Sequence, residues 1–167
     1  MRQYFVLVAL LAFLSPASAG YLEVVSDESW TVEGRNYIGN AVGTWVHSLW
    51  ASVPGAKWIW KSYLIENPTA EESYAFQKEF NVAGFPTSSF LTFSADNSYA
   101  IFLNGNFIGA SQDLAYGGRK TVTFDLLSRT IQGRNVVQVV VLNWAQAGSG
   151  VYDNPAGLLF KLAITYN

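Results

Sequence analysis

The sequence predicts an all-β fold, an antiparallel β-sandwich or jelly roll, on three observations. Aromatic and β-branched residues recur in short runs with a period of two residues, which is typical of strands. Turn-forming residues such as Gly, Pro, Asn and Ser separate these runs. No helix of ordinary length is predicted. About ten short strands of this kind indicate a sandwich or a jelly roll.

The first 19 residues are expected to form a secretory signal peptide rather than part of the fold. A short basic start leads into an apolar run at residues 4–14, and the small residues Ala17 and Ala19 mark a cleavage site before Gly20. The run is shorter than the ~18 residues that a membrane span needs, and no later segment approaches that length. The prediction is therefore a secreted protein without a membrane span, in which residues 20–167 form one domain.

Residues 20–103 are predicted to form a succession of strands. The clearest alternation is at Tyr74, Phe76, Phe80 and Val82, which share one face of a strand. Residues 34–43 are expected to be an irregular surface loop. The strands predicted in this half of the chain are 21–25, 29–33, 44–50, 57–61, 74–82, 89–94 and 98–103.

The strongest local signal is Asn104-Gly105, which lies between two apolar runs. Both residues accept a positive φ, which the two central positions of a type I′ turn require. The pair therefore predicts a tight β-hairpin whose second strand begins at Asn106.

The remaining elements follow from similar patterns. A loop at 110–118 precedes a strand at 120–124, and Asp125 is predicted to cap a short turn. The nearly continuous apolar run 136–142 is typical of a central strand buried on both faces. A long loop, 144–156, then leads to the final strand, 157–166.

The composition excludes several functions. The net charge of −2 and the scattered basic residues argue against binding to nucleic acid or to an anionic membrane. The chain has no cysteine and one histidine, so no standard zinc or thiol site exists, and neither a metal nor another cofactor is expected.

Catalysis has no recognisable machinery in the sequence. His47 is the one candidate for a Ser-His-Asp triad, and without a Gly-x-Ser-x-Gly motif it is interpreted as a structural or surface residue. The acidic residues show no recognisable pair for glycoside hydrolysis, and Asp96 is expected to cap a turn. The chain is therefore predicted not to be an enzyme.

Motifs spread over residues 56–166 carry a resemblance to a known superfamily. They are Lys57-Trp58-Ile59-Trp60, Tyr74-Ala75-Phe76-Gln77-Lys78-Glu79-Phe80, Ala95-Asp96-Asn97-Ser98-Tyr99-Ala100-Ile101-Phe102-Leu103-Asn104-Gly105, Phe124-Asp125-Leu126-Leu127, Gly133-Arg134-Asn135-Val136-Val137 and Pro155-Ala156-Gly157-Leu158-Leu159-Phe160-Lys161-Leu162. Together they resemble the galactose-binding-like β-sandwich, and most closely the non-catalytic N-terminal domain of bacterial α-L-rhamnosidases. The resemblance implies a sandwich module of a superfamily that often binds glycans and that also has purely structural members. It does not imply rhamnosidase activity, because the 167 residues contain no counterpart of the catalytic barrel.

Two loops have the composition of a sugar-binding site, in which aromatic rings stack on sugar rings and polar side chains bond the hydroxyls. Loops at one end of a sandwich cluster together, so the two are predicted to form one ligand-binding face. The alternative is that the aromatic residues of the second loop pack over an open end of the core. The predicted ligand-binding residues are Gln112, Asp113 and Tyr116 in the first loop, and Asn143, Trp144, Tyr152, Asp153 and Asn154 in the second.

The function predicted from these features is a secreted, non-catalytic, lectin-like module that binds a glycan or an extracellular matrix or cell-surface polysaccharide. The alternative is an extracellular structural or adhesion protein that self-associates or coats a surface. Exposed Trp144 and Tyr152 in a concave loop site would favour binding, whereas a flat apolar patch on a sheet face would favour assembly.

Overall fold

The computed structural model describes residues 19–111 and 117–167, and the strands of this part of the chain form two antiparallel sheets without any α-helix. The predicted all-β sandwich is thereby confirmed. No helix in these residues is long and apolar enough to cross a bilayer. The strands are β1 (Gly20–Val25), β2 (Thr31–Gly34), β3 (Tyr37–Asn40), β4 (Val42–Gly43), β5 (Ile59–Trp60), β6 (Glu72–Val82), β7 (Pro86–Asp96), β8 (Ser98–Leu103), β9 (Asn106–Ser111), β10 (Val122–Asp125), β11 (Gly133–Asn143) and β12 (Gly157–Tyr166).

Each sheet is organised around a pair of long strands. The first sheet has the order β10-β7-β12-β5-β4, and β1 also pairs with β12. The second sheet has the order β3-β2-β6-β11-β8-β9. Long antiparallel pairs join β12 to β7 and β11 to β6, so the longest strands hold the centre of each sheet.

The sandwich has two distinct ends. At one end, which we call the upper pole, β7 finishes at Asp96 opposite the start of β12 at Gly157, and β11 finishes at Asn143. At the other end, the lower pole, Gly20 pairs with Tyr166. The loops predicted to bind a ligand therefore leave the sheets at the upper pole.

Large aromatic side chains fill the space between the sheets. Trp30 packs edge-on against Phe160 with ring centroids 4.9 Å apart, and Trp60 lies 5.4 Å from Phe76. These four residues are fully buried, and Trp58 is nearly so. The core placement predicted for Trp30, Trp58 and Trp60 is confirmed. Because the chain has no disulfide, burial of this apolar surface carries the stability of the domain.

The predicted type I′ hairpin is confirmed. Asn104 has φ 53° and Gly105 has φ 75°, and Leu103 pairs with Asn106 across the turn. The Asn104 side chain also accepts a hydrogen bond from the Val136 backbone N–H at 2.9 Å. Asn104 therefore shapes the turn and fastens it to the neighbouring central strand.

The expected irregular loop at 34–43 is wrong, because this stretch contains β3 and β4. Gly34 pairs directly with Tyr37, so Arg35 and Asn36 form a two-residue hairpin turn. The Tyr37 ring packs edge-on against Tyr74 at 6.3 Å. The sequence shows no clear alternation of apolar and polar residues here, because β3 is an edge strand and one of its faces is only half-buried.

The predicted strand at 44–50 is also wrong. The Trp50 N–H bonds the His47 carbonyl at 2.9 Å, which closes a turn. Trp50 is buried in a small second cluster with Val53, Trp58 and Leu159. The aromatic residues of this stretch therefore form a satellite core beneath an irregular segment, and the same composition had suggested a strand.

The apolar run 136–142 is a central strand, but only one of its faces is buried. Val137, Val139 and Val141 point into the core, whereas Val136 and Val140 are half-buried on the outer face. No described residues cover that outer face as a third layer. Apolar residues on both faces of β11 therefore leave a partly exposed apolar surface.

Replacing Gly105 with Val should destabilise the domain by ~1 kcal/mol or more, because a β-branched residue resists a positive φ. The space around an added Cβ is open at this position, so backbone strain is the sole cost. Gly43→Val is the control, since its φ is not positive and its Cβ would lie 3.7 Å from Glu28 Oε1. Equal melting temperatures for the two variants would contradict the strained turn.

Candidate functional site

The loop between β11 and β12 is fastened to the upper pole by hydrogen bonds. The buried Asn154 side chain donates to the Pro68 carbonyl at 2.9 Å and to the Trp144 carbonyl at 2.8 Å. The half-buried Trp144 donates its indole N–H to Ser98 Oγ at 2.7 Å. Asn154 and Trp144 therefore hold the base of the loop in place.

Asn143 lies beneath this loop. It is fully buried, and neither its side-chain nitrogen nor its side-chain oxygen bonds another described residue. It is the last residue of β11 and points into the interior opposite Glu72. Its ligand-binding role stays a prediction, and a ligand would have to reach the interior to meet it.

A polar cleft of about 110 Å³ lies at the upper pole, where the two predicted loops meet. The second loop contributes Asp153 and Asn154, the first loop contributes Gly117, and Arg119 comes directly after the first loop. Gln112, Asp113 and Tyr116 lie outside the described residues. The residues that line the cleft are Asp96, Asn97, Gly117, Arg119, Gln146, Asp153, Asn154 and Pro155.

Asp96 forms the buried wall of the cleft. Its carboxylate accepts the Trp50 indole N–H at 3.1 Å and a second hydrogen bond from the Asn97 amide. Burial raises the pKa of Asp96 to about 7, although the Trp50 hydrogen bond and the Arg119 charge act in the opposite direction. A Cβ on Gly117 would collide with this carboxylate, so glycine is required where the loop returns.

The expected turn-capping role of Asp96 is wrong, because its side chain serves tertiary contacts. Asp96 ends β7, and its Trp50 partner lies 46 positions earlier in the chain. Within residues 19–111 and 117–167, no three acidic or histidine side chains gather as a metal-binding group. The cleft is thus a mixed set of carboxylates, amides and one guanidinium.

Aromatic rings lie beside the cleft. Tyr152, next to the cleft residue Asp153, is 55% exposed, and its ring packs edge-on against Trp45 at 5.5 Å. Trp45 in turn contacts the His47 ring at 5.9 Å. These edge-on contacts fix the orientation of the rings while leaving Tyr152 accessible. The aromatic surface beside the cleft therefore pairs Tyr152 with Trp45, a residue that the sequence did not predict for the site, and among the described residues no ring contact joins Tyr152 to the predicted Trp144.

Sequence reasoning did not identify Trp45, Asp96, Asn97 or Arg119 as site residues. Asp96 and Asn97 lie at the junction of two strands, and Trp45 lies in a stretch that was predicted to be a strand. Only the antiparallel pairing of β7 with β12 brings Asp96 next to the 144–156 loop. A signal was present in the pair Gly117-Gly118, whose small size permits the close approach to Asp96 and Trp50.

No protein-family model matches the sequence, and no curated protein matches it either. Solved structures do show similarity. A β-glucuronidase from an uncultured Clostridium sp. aligns over 96% of this chain with a TM-score of 0.51 and 14% identity. A β-glucuronidase from Ruminococcus gnavus aligns over 86% with a TM-score of 0.52 and 10% identity. An α-L-rhamnosidase from Streptomyces avermitilis aligns over 58% with a TM-score of 0.46 and 25% identity.

The two β-glucuronidase comparisons define the class of the fold, a two-sheet antiparallel sandwich that is also found in these enzymes. The resemblance to the galactose-binding-like sandwich is confirmed at that level. The chain spans 31% of the Clostridium protein, 28% of the Ruminococcus protein and 9% of the Streptomyces protein. It is therefore similar to a part of each enzyme and not to a whole enzyme.

The Asp96→Asn variant should gain stability relative to the wild type as the pH rises from about 4 to about 7. The folded pKa of Asp96 is raised, so the folded state binds the proton more tightly than the unfolded state. The stabilisation that the wild type gains from protonated Asp96 is fully present below the unfolded pKa of this residue. It is lost as the pH rises through the folded pKa. The difference should reach on the order of 1–4 kcal/mol at neutral pH.

Thermal melts of both proteins from pH 4 to 8 would measure this difference. The other carboxylates are common to both proteins and cancel in the comparison. A difference in melting temperature that stays constant over this range would contradict the prediction that burial raises the folded pKa of Asp96.

Proposed function

We propose that this chain is a secreted, non-catalytic module that binds carbohydrate through the polar cleft and the Tyr152–Trp45 pair. The observation that carries the proposal is a polar cleft lined by Asp153, whose neighbour in the chain, Tyr152, is an exposed aromatic residue. Sugars present hydroxyl groups around their edges and C–H groups on their faces, so a site for them combines polar groups with an aromatic surface. The glycosidase sandwiches with the same fold support a carbohydrate-related role.

The cleft offers both kinds of hydrogen-bonding partner that hydroxyl groups need. Arg119 has only donors, Asp153 has only acceptors when ionised, and Asn97 and Gln146 have both. One Asp153 oxygen already accepts the Gly150 N–H at 3.0 Å, which holds the carboxylate in place. A pre-positioned carboxylate loses little side-chain entropy on binding a ligand.

The burial and the hydrogen bonds of Asp96 favour a binding role of the cleft over a catalytic one. Glycoside hydrolysis needs two carboxyl groups that reach the scissile bond from either side. Asp96 is 7% exposed, and hydrogen bonds from Trp50 and Asn97 engage its two oxygens. We therefore assign Asp96 to holding the cleft in shape, and secretion follows in this proposal from the expected leader.

Tyr152→Ala should weaken glycan binding roughly 5- to 150-fold while the fold persists. Loss of one stacking ring costs about 1–3 kcal/mol in the comparable case of bases on aromatic side chains. A glycan array would first identify a bound sugar, and titration calorimetry would then compare the variants. Asp153→Ala should act in the same direction, because it removes a held acceptor.

Tyr21→Ala is the matched control for this experiment. Tyr21 is a 59% exposed tyrosine on β1, where it pairs with Thr165 near the lower pole. Its removal should leave glycan affinity unchanged. Equal affinities for wild type and Tyr152→Ala, with equal melting temperatures, would place the binding site elsewhere.

A second candidate function is self-association through the outer face of the second sheet. A strip there consists of Ala100, Phe102, Phe107, Val140 and Leu142, and the Phe102 and Phe107 rings lie 5.7 Å apart. Phe107 is 59% exposed. The strip contains no charged side chain, so it can face a second copy of itself in a two-fold contact without like-charge repulsion.

Phe107→Lys should shift the protein from dimer to monomer if this second function holds, because the contact would place two lysines close together. Light scattering after size-exclusion chromatography over a concentration series measures the mass. Phe85→Lys is the control, since Phe85 is 71% exposed near the lower pole. A wild type that stays monomeric at high concentration would exclude self-association.

A further inference from the structure

A second and larger cavity lies beside the aromatic pair. It has a volume of about 480 Å³ and is bordered by the irregular segment that follows β4 and by the start of β12. Ligand pockets commonly measure roughly 300–1,000 Å³. The cavity falls in this range, whereas the polar cleft, at about 110 Å³, is below it.

The floor of this cavity is apolar. Trp50 and Trp58 lie there with ring centroids 4.2 Å apart, beside Val53 and Leu159. Both indole N–H groups are already engaged, Trp50 with Asp96 and Trp58 with the Ala51 carbonyl at 2.8 Å. The part of the floor that a ligand can touch is small, since Trp50 is 9% and Trp58 is 5% exposed, and it consists of carbon surface without an unused polar group from these rings.

The rim of the cavity is polar and nearly neutral. It carries the hydroxyls of Ser48 and Ser52 and the ring of His47. The His47 Nδ1 accepts the Leu49 N–H at 3.1 Å, which places the ring proton on Nε2 in the neutral form. The rim ammonium of Lys57 is paired with Glu28 at 2.9 Å. An apolar floor inside such a rim matches a ring with a C–H face and uncharged hydroxyl edges.

A row of contacts connects the cavity to the polar cleft. Asp153 lines the cleft, and the neighbouring Tyr152 ring contacts Trp45 at 5.5 Å. Trp45 contacts His47 at 5.9 Å, and His47 lines the cavity. The residues on both sides of Trp45, Thr44 and Val46, also line it. Adjoining residues and ring contacts thus connect the cleft, the aromatic pair and the cavity in that order.

We infer that the three features bind successive units of one chain, so the ligand is an uncharged oligosaccharide of at least three units rather than a single terminal sugar. This inference rests on the proposed function. The cleft holds one unit by hydrogen bonds, Tyr152 and Trp45 contact the next, and the cavity receives the third on its indole floor. The proposal assigns to the cavity the affinity that is gained between the disaccharide and the trisaccharide.

The test measures affinity against chain length for cello-, xylo-, manno- and galacto-oligosaccharides from monosaccharide to hexasaccharide. For the series that binds, the wild type should gain about tenfold or more in affinity between the disaccharide and the trisaccharide. Val46→Asp, which places a charge on the 49% exposed cavity wall, should lose that gain and keep the disaccharide affinity. Ser52→Leu, which narrows the cavity without adding a charge or a ring, should do the same.

Ile38→Asp is the control, because Ile38 is an 83% exposed aliphatic residue on the edge strand β3 that lines neither the cavity nor the cleft, and it should keep the gain. Affinity that does not rise with chain length, or a gain that survives both cavity variants, overturns the extended site and leaves the cleft as a site for one sugar. Absence of binding to every probe overturns the extended site and the proposed function together.

Discussion

The hydrogen bond between the Trp50 indole and the buried Asp96 carboxylate is the contact on which the upper pole depends. Strand pairing contributes little in the segment between β4 and β5, so isolated backbone hydrogen bonds, such as that from the Ala51 N–H to the Gly118 carbonyl at 2.7 Å, and side-chain contacts fix its position. Trp50 is buried among Trp58 and Leu159, and its N–H reaches Asp96 at the end of β7. A hydrogen bond in such a desolvated place is electrostatically stronger than one in water, and breaking it would leave a buried polar group unpaired. The cleft and the large cavity share this wall, so one contact sets the position of both.

The surroundings of this bond explain why the returning loop carries two glycines. A Cβ on Gly118 would collide with the Trp50 indole, and one on Gly117 would collide with Asp96. Gly118 also has φ 68°, which favours glycine on backbone grounds. The backbone therefore passes close to both partners and covers them from solvent. That cover is one reason why the pKa of Asp96 is raised and not lowered by the nearby Arg119.

The parts of the fold that the sequence predicts well are those that depend on neighbouring residues. The Asn104-Gly105 turn needs only two residues with positive φ, and the alternation in β6 follows from one buried face. The strand predicted at 44–50 is wrong because local composition does not distinguish an aromatic strand from an irregular segment with buried tryptophans. The difference is decided by Trp58 and Leu159, which approach Trp50 only in the folded chain.

The same distinction applies to the candidate site. Loop composition identified Tyr152, Asp153 and Asn154, because aromatic and polar residues in one loop are a local signal. Trp45, Asp96 and Arg119 come from three other parts of the chain, and strand pairing alone brings them to one pole. For Asn143 the local signal is misleading. The loop composition predicts a ligand-binding residue, but Asn143 ends the alternating strand β11 and its side chain is buried.

The pairing of the first and last strands has a consequence for how the domain can be attached to other molecules. Gly20 lies against Tyr166, so both ends of the sandwich leave from the pole opposite the cleft. A tether, a surface anchor or a fusion partner added at either end would point away from the site and leave it unobstructed. The same proximity allows a short linker to join the two ends, so a circular permutant opened elsewhere should keep every strand pair of the sandwich.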